Sequence, residues 1–435
     1  MNLYQNKVAQ FTEALEKINT KYNTVSILRI LSIFSCLFFL FHYIKTSDTA
    51  YVVSAFGSFV CFIFLMRIHS RLSFQKQLTA ALLTINNNEI SYLKREKIPF
   101  ENGGEFNDFH HPYAYDLDIF GEHSLFQNLN RTATFIGKKT LANQLLTLND
   151  NEIILDNQKS ISELKTKVDW RQKFLALATI SQDSKSAYDS LVHWNRIKKV
   201  TLSKVLLMLS YVMPVLFFGL LIAYFATDKN VLLAYLSYVF IANTMILGMA
   251  IKRIKAEITQ AENIDKIIKQ YSLLVQQIET EIFQSKKLQN LQQQLVSHNA
   301  KASQHLKMLS ELFSSMDTIA NLVVATLFNG TFLYHIHVLN ALLKWKENYS
   351  TQLEDWMNVI GQFEMLNSLA NLAHNNPGFV FPELNSEHKI GFSDLGHPLL
   401  SPATRVGNDT HFYPQSFVIL TGSNMSGKST FLRSL

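Results

Sequence analysis

Four long apolar runs divide an otherwise mixed sequence. They are Val25–Ile44, Tyr51–Met66, Val205–Ala226 and Val231–Ile251. Each is close to the roughly 17–25 residues with which a helix crosses a hydrocarbon core. The first two runs are joined by KTSDTA and the last two by TDKN, and both connections are too short to hold a domain. The pattern therefore predicts two transmembrane helical hairpins.

Charge placement separates this prediction from the alternative of buried helices in a large soluble core. Basic side chains mark the outer ends of both hairpins, at Lys17, Lys21, Arg29, Arg67, Arg71, Arg196, Lys198, Lys199, Lys204, Lys252, Arg253 and Lys255. The two turns hold few charges, at Lys45, Asp48, Asp228 and Lys229. By the positive-inside rule, the outer ends and the remaining chain lie in the cytosol. We expect a multi-pass protein of the inner or plasma membrane with its soluble parts in the cytoplasm.

The segments outside the hairpins have helical patterns. Residues 252–315 contain no Gly or Pro, and they predict a long helical arm that continues the fourth membrane helix. Residues 319–343 are apolar enough for a fifth span. Asn329-Gly330 at the middle of this segment favours a buried helix–turn–helix instead.

Composition agrees with membrane helices. Of the 435 residues, 48% are hydrophobic and 17% are charged, with a formal net charge of +6. A charged fraction of about 25% is usual in soluble domains, so part of the apolar content faces something other than a protein core. The hydrophobicity excludes a disordered chain. Two cysteines, Cys36 and Cys61, exclude a disulfide scaffold.

Residues 422–429 read GSNMSGKS and match the phosphate-loop pattern GxxxxGK[ST]. Ser416–Thr421 predicts the buried strand before the loop, and a helix is predicted from Thr430. Glycine lets the backbone amides face phosphate oxygens, while Lys428 reaches the phosphates and Ser429 ligates magnesium. We therefore predict a site for ATP and Mg²⁺. Its residues are Gly422, Ser423, Asn424, Met425, Ser426, Gly427, Lys428, Ser429 and Thr430, with Ser429 as the metal ligand.

Several motifs near the C-terminus resemble the MutS family of DNA mismatch-repair ATPases. TGSNMSGKSTFLR, ending at Arg433, resembles the family's Walker A segment, and the Asn424-Met425 pair points to this family. LGHPLL and VGNDTHF resemble the segment that precedes the phosphate loop, with Gly396 where the family has Arg. Residues 356–373 resemble the helix that opens the family's ATPase domain.

A second group of matching residues lies between the hairpins. It resembles the SLF…LNRTxTxxGxRxL pattern of the family's core domain. The pattern is carried by Ser124, Leu125, Phe126, Leu129, Asn130, Arg131, Thr132, Thr134, Gly137, Lys139 and Leu141. The membrane hairpins have no counterpart in ordinary members of the family.

The resemblance implies a P-loop ATPase that pairs as a homodimer through its complete ATPase domain, with double-stranded DNA as a possible partner. Residues 405–408 fall where related proteins place adenine contacts. The family's Walker B acid and signature loop follow the phosphate loop, whereas this sequence ends at Leu435. We therefore expect a truncated chain that is inactive alone, and the catalytic residues stay unknown.

Two other function classes stay open. Membrane spans with a phosphate loop also fit a transporter-type ATPase, although transporter loops usually read GxSGSGKS. A non-catalytic membrane scaffold is the third interpretation. The basic run 196–204 fits anionic lipid better than DNA, because it adjoins a membrane helix. The histidines and acids of 110–123 lack the spacing of a helical metal site.

Together these patterns predict a mainly α, multi-domain membrane protein. It combines two transmembrane hairpins, a helical MutS-like core and lever, and the start of an α/β P-loop ATPase domain. The predicted units are a cytosolic helix (1–24), hairpin 1 (25–66), a helical linker and core (67–204), hairpin 2 (205–251), a helical lever or arm (252–345) and the N-terminal part of the ATPase domain (346–435).

Overall fold

Helices dominate the fold, which confirms the predicted mainly α class. The computed structural model describes residues 1–435 except 182, 198–200, 260–263, 298–299, 388, 402, 414–416 and 424–425. Within the described residues, the strands are four short segments that form two separate two-stranded ladders.

The chain begins with an antiparallel helical hairpin. Helix α1 spans Asn2–Thr46 and α2 spans Thr49–Leu93, 45 residues each. Ser47 takes a left-handed conformation in the turn, and the Asp48 side chain accepts a hydrogen bond from the Ala50 amide, 2.9 Å away. Both helices extend well beyond their apolar runs. The predicted cytosolic helix of residues 1–24 is therefore the first half of α1 and not a separate element.

Five helices follow in the segment between the hairpins. They are α3 (Leu125–Leu129), α4 (Phe135–Leu146), α5 (Asn151–Thr166), α6 (Val168–Thr179) and α7 (Lys185–Arg196). Side-chain caps fix three of their starts. Ser124 accepts from the Gln127 amide, and Thr134 and Ser184 cap α4 and α7 in the same way.

The second hairpin consists of α8 (Lys204–Thr227) and α9 (Val231–Thr259). Among the described residues, α1, α2, α8 and α9 are long and apolar enough to cross a membrane. Most of their apolar surface is not covered by the rest of the protein; Val215 on α8, for example, is 73% exposed. Long apolar helices are therefore present where hydropathy predicted them.

Residues 264–317 differ from the predicted long arm. The structure divides them into α10 (Ile264–Glu279), α11 (Lys286–Gln293), β1 (Val296–Ser297), β2 (Ala300–Lys301) and α12 (Ala302–Asp317), with β1 and β2 antiparallel. Helix α10 packs against α6 and α12 and buries Ile268, Tyr271 and Leu274 completely. A wide apolar stripe is more stable inside the core than on a projecting arm. This part of the predicted arm is therefore a core element.

Helices α13 (Leu322–Phe332) and α14 (Tyr334–Asn375) form a helix–turn–helix over the segment for which one was predicted. The turn lies at Leu333, which is left-handed with φ 51°, and not at Asn329-Gly330. The prediction of full burial is wrong for α13, because one side of this helix is exposed. Helix α14 packs along α4, α5 and α12, with Trp345, Trp356 and Phe363 buried.

The C-terminal segment has little regular structure. Strands β3 (Ile390–Leu395) and β4 (Asn408–Phe412) are antiparallel, and α15 spans Lys428–Leu432. The buried strand predicted at Ser416–Thr421 is not formed by its described residues, 417–421, where Phe417 is 87% exposed and Ile419 72% exposed. A buried strand needs neighbouring strands to pair with, and the described residues place none beside this run.

Candidate nucleotide-binding site

The phosphate loop folds around the side chain of Lys428. The Lys428 ammonium donates hydrogen bonds to the carbonyl oxygens of Gly422 and Ser423, at 2.7 and 2.6 Å. Gly427 has φ +85°, a left-handed conformation that glycine adopts without strain, and it caps the start of α15. The structure thus brings together both ends of the predicted loop. Asn424 and Met425 lie outside the described residues.

The other predicted ligands in the described part of the loop are accessible to solvent. Ser426, Ser429 and Thr430 are exposed, and Lys428 is half-buried. An ammonium group, backbone amides and hydroxyl oxygens are the groups that bind phosphate and Mg²⁺ in proteins. The donor set at this loop therefore fits a magnesium-bound phosphate.

Helix α15 contacts the segment before α3. The Arg433 guanidinium donates to the Asp116 carbonyl oxygen, 3.1 Å away, and forms an ion pair with Asp118. Burial lowers the pKa of His397, the positive charge of Arg433 lowers it further, and Asp118 opposes both effects. The LGHPLL segment, the helix after the phosphate loop and the start of the MutS-like core thus meet at one place.

Gly396 stands where the resembled family has arginine, and the structure shows what occupies the space. A Cβ at Gly396 would lie 2.5 Å from Cδ of Arg405. The Arg405 guanidinium lies over the Phe379 ring, 5.2 Å from its centroid. A side chain at position 396 is therefore incompatible with the present position of Arg405. Of the other residues in 405–408, Val406 is 76% exposed and Asn408 begins β4.

The LNRT part of the core motif lies in a buried polar cluster. Arg131 forms a two-point ion pair with Glu89 of α2, with Nε–Oε1 at 2.5 Å and Nη2–Oε2 at 3.3 Å. Both side chains are buried. The guanidinium also lies 3.4 Å from the Phe100 ring centroid and 4.7 Å from that of Tyr92. Arg131 is therefore a structural residue that joins the core motif to α2.

The Glu89 carboxylate also binds the end of α14. Asn371 and Asn375 each donate to it at 3.1 Å, and Tyr4 of α1 donates to Asn375 Oδ1 at 2.7 Å. Helices α1, α2 and α14 therefore meet the core motif here. We call Tyr4, Glu89, Arg131, Asn371 and Asn375 the Glu89 joint.

A second buried carboxylate holds the start of α4. Glu364 accepts hydrogen bonds from the amides of Ala133 and Thr134, at 2.7 and 3.2 Å, and from the Thr134 hydroxyl. Burial raises the pKa of Glu364 to about 7, although these hydrogen bonds act to lower it. Its position at a helix N-terminus favours the ionised form. Glu364 thereby fixes the RTxT segment on α14.

Sequence reasoning did not identify Glu89 or Glu364 as site residues. Glu364 carries a signal, since it interrupts the apolar residues Phe363, Met365 and Leu366. Glu89 lies in a polar stretch and carries none. The histidines and acids of 110–123 contribute to no cluster of three or more metal-ligating side chains in the described part of the chain. Residues 198–200 of the basic run lie outside that part.

Comparison with curated proteins finds similarity to DNA mismatch repair protein MutS from several organisms. The chain is 32% identical over 101 residues to the Methanosarcina barkeri protein, covering 22% of this chain and 11% of that protein. It is 36% identical over 91 residues to the Methanococcoides burtonii protein, covering 20% and 10%. For Streptococcus agalactiae the identity is 34% over 94 residues, covering 20% and 11%.

The chain therefore spans about a tenth of the length of the curated relatives it matches. No family model matches the chain. No solved structure matches it either. The similarities support a relationship to the MutS family of mismatch-repair proteins.

Proposed function

We propose a membrane-anchored, MutS-like ATP-binding protein that, in its full-length form, couples ATP binding and hydrolysis to DNA binding of the mismatch-repair type. The observation that carries the proposal is the GSNMSGKS loop with its Lys428 and Gly427 geometry. The similarity to MutS proteins supports the DNA part. Pairing of two chains through complete ATPase domains belongs to the same proposal.

Each loop residue has a defined task in this proposal. Lys428 exchanges its hydrogen bonds to Gly422 and Ser423 for bonds to phosphate oxygens, and these are stronger because both partners are charged. The Ser429 hydroxyl would hold Mg²⁺, which would neutralise phosphate charge. The backbone amides of the Gly422–Gly427 loop would bind the same anion.

The membrane part of the proposal is supported by the four long apolar helices. Their side chains are exposed to a degree that is unusual for a protein surface in water, as at Phe34, Phe56 and Phe225. Basic residues mark the outer ends of both hairpins. We propose an inner or plasma membrane location with both turns outside the cytosol. Reporter fusions at residues 48 and 228 test the topology, and a cytosolic signal at either position contradicts it.

The nucleotide experiment compares Lys428→Ala with Lys307→Ala, an exposed lysine on α12. Titration of the full chain in detergent with a fluorescent ATP analogue and Mg²⁺ gives the dissociation constant. A charge-assisted hydrogen bond contributes about 1.5–3 kcal/mol, so Lys428→Ala should weaken binding by roughly 10–100-fold. Equal binding by wild type and Lys428→Ala would overturn the ATP site.

The DNA experiment measures binding of the full chain to plain and mismatched duplexes at several salt concentrations. Contacts to phosphates predict affinity that falls steeply as salt rises. Tighter binding to the mismatched duplex supports the repair role. Nucleotide binding without DNA binding at low salt removes that role and leaves a membrane ATPase or scaffold.

A further inference from the structure

Helix α13 has an uncovered apolar face and carries no charged residue. The exposed side chains on this face are Leu322, Val323, Leu327, Phe328 and Phe332, between 46% and 79% exposed. Together with α12 and the turn after it, α13 is apolar enough for a membrane span, but the two parts are bent by 108°. Such a bent pair is either a broken span or a re-entrant element.

The end of α13 lies beside the middle of the second hairpin. Phe332 packs on Phe218 of α8, with 4.9 Å between ring centroids. Asn243 of α9 donates to the Gly330 carbonyl oxygen at 2.8 Å, and a Cβ at Gly330 would come within 2.1 Å of the Phe240 ring. Since Phe218 and Phe240 are central in their apolar runs, the C-terminal end of α13 lies at the depth of those runs.

The polar groups at the break between α13 and α14 are paired inside the protein. Asn329 Oδ1 accepts from the His335 amide at 3.0 Å, and Asn329 Nδ2 donates to the Ala325 carbonyl oxygen at 2.6 Å. Asn329 and His335 are fully buried. Irregular backbone is compatible with membrane depth when it is covered by protein in this way.

His335 also fits an environment without water. Asn329 Nδ2 lies 2.8 Å from Nδ1 of His335, and Thr318 Oγ1 lies 3.1 Å from Nε2. The amide donates to Nδ1 and the Thr318 hydroxyl accepts from Nε2, which is the arrangement of a neutral imidazole. No buried charge is needed at the break.

We propose that α13 lies in the hydrocarbon region of the bilayer as a re-entrant element beside the second hairpin, with its exposed face covered by acyl chains. The inference rests on the proposed membrane anchoring. Lipid is favoured over a protein partner because the face continues the exposed apolar faces of α8 and α9.

The experiment uses the full chain in lipid vesicles, with Cys36 and Cys61 replaced by serine. Single cysteines are introduced at Leu327 on α13, at Val215 on α8 and at Leu148, which is 88% exposed in a loop. Each carries a nitroxide label, and the accessibility to oxygen is compared with that to a water-soluble nickel chelate. A second α13 position, Leu322, guards against a local effect of one substitution.

We expect the oxygen-to-nickel ratio at Leu327 and Leu322 to match that at Val215 and to exceed that at Leu148. A water-like ratio on α13 with a lipid-like ratio at Val215 would overturn the inference and leave the membrane anchoring intact. Labels on α13 that neither reagent reaches would also overturn it, because the face is then covered by protein. A water-like ratio at Val215 contradicts membrane anchoring itself.

Discussion

The Glu89 joint includes Arg131 and Asn371 from MutS-like segments, and the phosphate loop is another such segment, yet their surroundings are opposite. At the joint, a buried carboxylate pairs with Arg131 and accepts from two asparagines on α14. At the loop, Lys428 bonds only to nearby carbonyl oxygens among the contacts described for it, and Ser429 is exposed. The joint is complete without a ligand, whereas the loop presents its polar groups outward.

This difference shows that a matched motif can serve the fold or a ligand. Removing one partner of a buried ion pair leaves an uncompensated charge, while removing an exposed donor leaves only water in its place. Substitutions at the two regions should therefore separate stability from binding.

Glu89→Gln should have the largest effect on stability. It keeps the shape of the side chain but leaves the Arg131 charge buried without its carboxylate, which costs about 3–5 kcal/mol. The midpoint of urea unfolding in detergent measures this cost, with tryptophan fluorescence as the signal because all four tryptophans are buried.

Glu105→Gln, an exposed acid near the same region, is the matched control and should leave the midpoint unchanged. In the double variant Glu89→Gln with Arg131→Met, the loss should be smaller than in Glu89→Gln alone, because the unpaired charge is gone. An unchanged midpoint for Glu89→Gln would show that the joint does not hold the helices together.

Glu364 should make stability depend on pH. Its pKa of about 7 in the folded chain lies above its ordinary value of 4.5. Because the folded-state pKa is raised, the protonated Glu364 side chain adds to the free energy of unfolding. This contribution is fully present below pH 4.5 and is lost as the pH rises through about 7. The Glu364→Gln variant has no titrating group at this position. Across this pH range, the free energy of unfolding of the wild type should therefore fall by at most about 3 kcal/mol relative to that of the variant. Urea unfolding at pH 5 to 8 measures the difference, and parallel curves would contradict the raised pKa.

Arg433→Ala should have a smaller effect, confined to the docking of α15. The ion pair with Asp118 is partly exposed, so its loss costs about 0.2–1 kcal/mol. Amide hydrogen exchange should rise in residues 428–432 and stay unchanged in α14. Lys185→Ala, another exposed cation, should leave the exchange of α15 as in the wild type. Faster exchange throughout the core after Arg433→Ala would show that this contact does more than hold α15.

Lys428→Ala should have the smallest effect on stability, within about 0.5 kcal/mol, because the side chain bonds to carbonyl oxygens that water reaches equally well. The same urea experiment measures it. Combined with the expected loss of nucleotide binding, this would complete the contrast with Glu89→Gln. A large destabilisation by Lys428→Ala would show that Lys428, like Arg131, stabilises the fold.

The long helices follow from local sequence, because apolar runs and capping residues such as Asp48 and Thr134 act over a few positions. The Glu89 joint does not follow from local sequence, because the residues that bind the Glu89 carboxylate lie 42 to 286 residues away along the chain. The turn at Leu333 was displaced from the predicted Asn329-Gly330 by the Asn329 side chain, which bonds across the break to the His335 amide.

In the phosphate loop, local sequence determines the turn but not the strand before it. The identity of Gly427 is sufficient to predict the turn, whereas the contact of the Lys428 ammonium group with the loop carbonyl oxygens was not predicted. The strand before it is not determined in this way, because Phe417 and Ile419 need neighbouring strands before they can be buried.

The unbroken length of α14 makes the position of its C-terminal end sensitive to small rotations at its start. Its 42 residues extend about 63 Å at 1.5 Å per residue, from the break at Leu333 to Asn375. A rotation of about 5° around Leu333 would displace the far end of a rod of this length by about 5 Å. That displacement exceeds the 3.1 Å hydrogen bond between Asn375 and Glu89. The position of the chain as it leaves α14 is thus set at both ends, by the buried turn at Leu333 and by the Glu89 carboxylate of α2.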